Sequence, residues 1–102
     1  MIARIWRGFA IPEKADEYAK HLQTSVLPEL YQIDGFRGAT LMRQDSARQV
    51  EFIVLTLWES MDAIRKFAGA DAEVAVVAPA ARALFREYDP TVRHFEVVLS
   101  TR

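Results

Sequence analysis

From Ile2 to Phe9 the chain alternates with a period of two. Ile2, Arg4, Trp6 and Gly8 fall on one side, and Ala3, Ile5, Arg7 and Phe9 on the other. β-Branched and aromatic residues dominate, so the pattern predicts a strand, and since neither side is purely polar, a strand packed on both faces. At Pro12 the period changes. Ala15, Tyr18, Ala19, Leu22, Val26, Leu30 and Ile33 recur at helical spacing, Pro12 suits a first helical position, and Glu13 complements the N-terminal dipole. Pro28 lacks a donor and disfavours helical geometry at Leu27. The expectation is a helix from about 12 to 27 with a kinked turn to about 32, closed at Asp34-Gly35.

Two long β stretches follow, Phe36 to Gln44 and Gln49 to Glu59, with the polar segment between them as a hairpin loop. The second is apolar on both faces near its middle, as a central strand would be. Ser60 is a good N-cap for a helix carrying Met61, Ile64, Phe67 and Ala68, with Asp62 in its first turn and Gly69 at its end. Asp71–Val77 fits a short helix, an irregular turn or a strand. Pro79 opens a further helical turn through Ala83, Leu84 and Phe85, Asp89-Pro90 marks a turn, and Val92 to Leu99 alternates as a last strand. The order is β-α-β-β-α-β. This predicts an α+β fold: a ferredoxin-like antiparallel sheet with both helices on one face. The other face keeps apolar residues that a monomer would expose, so the chain is expected to pair with itself, as a homodimer through the sheet face.

At 102 residues, positions 1–102 make a single domain with one core. Thirteen basic and fourteen acidic residues leave a net charge of -1. The arginines are scattered, which argues against a nucleic-acid partner. The absence of cysteine excludes disulfides, thiolate metal sites, iron–sulfur clusters and a cysteine nucleophile. Apolar runs fall far short of about 18 residues, and no signal-peptide pattern opens the chain. A soluble, cytoplasmic protein without a membrane partner is expected.

No nucleophile elbow and no phosphate-cradling glycine loop occurs. His21 and His94 share no metal-ligand spacing with the acids, so no metal site is expected. His94 alternates with Glu96 on one face of the last strand, and in this fold that strand lies beside Arg4 and Trp6. One reading is a polar cluster that orients or deprotonates a ligand, with His94 as base. The other is a purely structural cross-strand cluster. His21 lies off the apolar stripe of its helix and is expected at the surface. Trp58, ending the central strand, fits either a pocket wall or ordinary core packing.

The segment Leu55-Thr56-Leu57-Trp58-Glu59-Ser60-Met61-Asp62-Ala63-Ile64-Arg65-Lys66-Phe67-Ala68-Gly69 resembles the strand-to-helix signature of the antibiotic biosynthesis monooxygenase family. Met1–Gly8 and Val92–Val98 resemble an uncharacterised bacterial branch of it. The resemblance implies a dimeric α+β barrel, in which two ferredoxin-like sheets face each other. It further implies a cofactor-free monooxygenase of an aromatic or polyphenolic molecule, with a pocket between sheet and helices. Its heme-degrading members have an Asn on the first strand and a His one helix beyond the tryptophan. Both are missing here, so heme binding is not expected. The candidate catalytic residues are His94 and Trp58, and the candidate substrate-binding residues are Arg4, Trp6, Phe52, Thr56 and Phe67. The competing class is a non-catalytic ligand-binding or stress-related dimer on the same barrel. What separates the two is whether His94 and Trp58 line one cavity.

Overall fold

The computed structural model describes residues 1–101. Strand β1 (Ile2–Ala10) leads through a 3₁₀ turn (Pro12–Lys14) into helix α1 (Ala15–His21). A π-helical segment (Leu22–Val26) and helix α2 (Leu27–Leu30) continue the same rod. The hairpin β2 (Phe36–Asp45) and β3 (Val50–Trp58) precedes helix α3 (Met61–Ala68). A short helix α4 (Pro79–Arg82) and strands β4 (Phe85–Tyr88) and β5 (Arg93–Glu96) complete the chain. The sheet runs β2-β3-β1-β4, all antiparallel, and β5 also pairs with β1. This is the expected ferredoxin-like α+β arrangement.

Register explains how one sheet serves two environments. β1 and β3 pair Ile2 with Trp58, Arg4 with Thr56, Trp6 with Val54, Gly8 with Phe52 and Ala10 with Val50. Those side chains form the helix-facing row, because alternate residues share a face. The row contains two apolar cores. One gathers Trp6, Tyr18, Phe52, Leu84 and Phe85, and the other Leu30, Phe36, Trp58, Ala63 and Ile64. Arg4 and Thr56 lie at the level between them, and both are buried. The opposite row (Ala3, Ile5, Ile53, Leu55, Leu57) is apolar and mostly half-buried.

Ser60 caps α3 as expected, its hydroxyl accepting from the Ala63 N–H at 3.1 Å. Gly35 has φ +96°, and a Cβ there would stand 2.6 Å from that of Ala63. The turn closing the first helical region therefore requires glycine.

Three expectations are corrected. The first helical region is not a helix with one proline kink; it carries a π segment, closed by the Leu27 N–H bonding back to the Leu22 carbonyl. Phe85–Tyr88 is a strand rather than the tail of a helical turn. Its pairing with Gly8–Ala10 outweighs a local sequence with two charges at its centre. The last strand spans Arg93–Glu96 rather than Val92–Leu99, its pairing running from Arg93 with Ile5 to Glu96 with Ile2, after which the Met1 carbonyl takes the Val97 N–H at 2.9 Å. β4 and β5 share one edge of β1 and are separated at Pro90, which has no N–H to donate. Between them Thr91 bridges to Val74, and the Val92 N–H reaches the Glu73 carbonyl at 2.8 Å. This anchors the irregular 71–77 segment over the sheet. Among the described residues no helix is long and apolar enough to cross a membrane.

Candidate functional site

Between the two cores, under the first helical rod and beside the 71–78 segment, lies a cavity of about 80 Å³. Its floor is the sheet: Arg4, Trp6, Val54 and Thr56. Its roof is the helical rod, with Tyr18, His21, Leu22, Val26 and Leu27, and Phe67, Val76 and Val77 close its side. The π segment shapes that roof. A π turn is closed by hydrogen bonds between residues five apart, and both members of the pairs His21/Val26 and Leu22/Leu27 line the cavity. A regular α-helix would have turned one of each pair away.

Arg4 is the pivot of the polar part. Its Nη1 donates to the Ala72 carbonyl, its Nη2 donates to the Val74 carbonyl at 3.1 Å, and its Nη1 lies 3.0 Å from His94 Nε2. A guanidinium only donates, so Nε2 of His94 accepts and its proton sits on Nδ1. Burial pulls the pKa of Arg4 down to about 10, leaving it cationic near neutral pH. Burial also lowers the His94 pKa, and the Arg4 and Arg65 charges lower it further against the opposing pull of Glu73. Burial raises the Tyr18 phenol above its ordinary range, so it stays neutral.

Of the sequence-predicted site residues, Arg4, Trp6, Thr56 and Phe67 meet on the cavity wall. Trp58 is fully buried behind it. Its indole N–H donates to Thr56 Oγ1 at 2.8 Å, and its ring stacks with Phe67 at 6.0 Å between centroids. Phe52 is also fully buried, in the first core, 5.0 Å from the Tyr18 ring. His94 faces a separate hollow with Met1, Ile2, Glu59 and Glu96 and meets the cavity wall at Arg4. His94 and Trp58 therefore do not share one cavity.

His21 was expected at the surface, but it is half-buried on the cavity roof, 6.3 Å from the Tyr18 ring. The cavity lies beneath the helix's apolar stripe, lined by Tyr18, Leu22, Val26 and Leu30, and His21 at the margin of that stripe also reaches it. Sequence reasoning missed Tyr18 and His21 as site residues. The available signal was their i, i+3 spacing, which sets the two side chains on neighbouring turns.

A helix-backed ferredoxin-like sheet enclosing an apolar cavity with a few inward polar groups places the chain among small α+β proteins of ferredoxin-like fold. The family model of the antibiotic biosynthesis monooxygenases matches residues 1–79, and the chain belongs to that family. Among solved structures it is similar to a putative antibiotic biosynthesis monooxygenase from Bacillus cereus, with TM-score 0.68 and 14% identity over 99% of this chain and 96% of the other. It is similar to the heme degrader MhuD from Mycobacterium tuberculosis, with TM-score 0.67 and 22% identity over 100% of both chains. It is also similar to SnoaB, a cofactor-independent oxygenase from Streptomyces nogalater, with TM-score 0.62 and 16% identity over 97% and 94%. At these identities the likenesses establish the fold. No curated protein matches the chain significantly.

Proposed function

We propose that this protein is a cofactor-independent monooxygenase of a small aromatic or polyphenolic molecule, bound in the cavity between sheet and first helix. It works as a cytoplasmic homodimer paired through the open sheet face. The observation that carries this reading is the cavity: apolar walls with Trp6 and Phe67 for a ring, and inward polar groups from both layers. Arg4 and Thr56 rise from the sheet, and Tyr18 and His21 descend from the helix. His21 is the imidazole on the wall and takes the proton of a substrate hydroxyl, giving the electron-rich anion that dioxygen oxidises. His94, whose Nε2 is held by Arg4, acts by positioning Arg4, and Trp58 acts by holding Thr56. SnoaB, a cofactor-independent oxygenase, supports the chemistry. A cavity of about 80 Å³ speaks against a ligand as large as heme, since drug-sized ligands occupy roughly 300–1,000 Å³.

The test is oxygen uptake with a panel of single-ring hydroxylated aromatics. His21→Ala should lower the rate by about 10²–10⁴, the usual worth of a general base, and His94→Ala by much less. The reverse ranking, with both variants folded, would return the base to His94. The alternative is a non-catalytic ligand-binding barrel. The observation favouring it is that His94, the base expected from the strand pattern, already spends its Nε2 lone pair on Arg4. Ligand binding without oxygen uptake across the panel would establish that reading.

A further inference from the structure

Arg4 is about 5% exposed, yet among the described residues no carboxylate lies within 4 Å of its guanidinium. Its partners, two backbone carbonyls and a histidine held as a neutral acceptor, carry no net negative charge. Those bonds use Nη1 and Nη2, and Nε makes none to the described residues. A buried cation without a counter-ion is costly, and buried charges in proteins are ordinarily paired. Tying the 72–74 backbone to the sheet needs N–H donors but no charge. The positive charge is left over, and it lines the cavity.

We propose that the ligand supplies the missing counter-ion: the cavity takes a small aromatic monocarboxylate, its carboxylate against Arg4 and its ring against Trp6 and Phe67. This rests on the cavity being the ligand site, as in the function proposed above, and narrows the substrate class to hydroxylated aromatic acids. A carboxylic acid with a pKa near 4 enters already ionised at neutral pH, whereas a phenol with a pKa near 10 does not. One cation matches one negative charge. A phosphate would bring about −1.5 to −2 into walls that are otherwise apolar. Size agrees. A water needs about 10–15 Å³ of such volume, so about 80 Å³ suits one substituted ring rather than a fused polycycle.

The experiment compares benzoate with benzamide, its uncharged isostere, by titration calorimetry on the intact protein at neutral pH. Benzoate should bind roughly ten- to a hundred-fold more tightly, the usual worth of a charged hydrogen-bond partner. Arg4→Gln, which keeps donors for the loop carbonyls, should abolish that preference, so that the two probes bind alike. If Arg4→Gln fails to fold, the wild-type preference is read against Ala39→Phe. This variant fills the cavity from β2, leaves Arg4 in place and should eliminate both probes. Equal binding of the two probes in the wild type, lost in Ala39→Phe, would overturn the carboxylate assignment while leaving the cavity as the ligand site. Binding of neither probe, or binding that Ala39→Phe does not change, would overturn both.

Discussion

At Gly8 the sheet meets the aromatic core with no room for a methyl group. A Cβ there would stand 2.7 Å from both the Phe85 and the Trp6 rings. Those rings pack edge to face at 5.3 Å and leave little freedom to yield. Gly8→Ala should therefore cost about 1–3 kcal/mol, the usual range for an overpacked core, measurable by denaturant unfolding. His94 makes a second residue-scale prediction. Its pKa is lowered in the folded state, first by burial and then by Arg4. The unfolded chain therefore binds the proton more readily, and stability must fall as pH drops through the ordinary histidine value of 6.5. Protonation would also set two cations 3.0 Å apart and release the clasp on the 72–74 backbone. Unfolding free energy measured from pH 7.5 down to 5.5 should decline in the wild type. The decline should be shallower in His94→Gln, and an equal slope in the two proteins would refute this account.

The π segment makes the prediction at the scale of an element. Leu22–Val26 adds one residue to a helical turn, and Pro28 follows two residues after it. A proline removes one backbone donor and crowds the preceding turn, and a widened turn is one way to accommodate it. The extra residue also brings both His21 and Val26 over the cavity. Deleting the exposed Ser25 should let the turn revert towards an α-helix and rotate one set of roof residues away. The far-UV circular dichroism should stay near that of the wild type, while affinity for the cavity ligand falls at least about ten-fold, in line with the placement of such bulges at functional sites. Retained affinity in a folded deletion variant would show that the π turn serves only Pro28.

At the scale of the whole molecule, the sheet face opposite the helices is apolar. Ile5, Ile53, Leu55 and Leu57 form its centre, and Met42 and Phe95 at 44% and 41% exposure flank them. A monomer rarely leaves more than about 300–600 Å² of contiguous apolar surface in water, and a two-fold pairing of identical faces is the commonest remedy. Sedimentation at micromolar concentration should show a dimer, and Leu55→Glu should shift it towards monomer without loss of secondary structure. A stable wild-type monomer would remove the dimer from the proposed function.

Period and punctuation were enough to read the order of elements as far as α3, the central position of β3, the Ser60 cap and the closing turn at Gly35. Each depends on residues close together in the chain, where hydrophobic spacing and backbone sterics act alone. Arg4, Trp6, Thr56 and Phe67 were legible as a group for the same reason: strand alternation and the ferredoxin-like order place the first three on the helix-facing row. β4 was not legible, because Phe85-Arg86-Glu87-Tyr88 becomes a strand only through the free edge of β1. Nor was the place of His21 on the cavity, which depends on where a gap falls between two cores, a property of packing. The partnership of Arg4 and His94 joins residues 90 positions apart. Alternation could set them on one face. Only the folded sheet decided that the imidazole lone pair faces a guanidinium, and that among the described residues no carboxylate stands beside that charge.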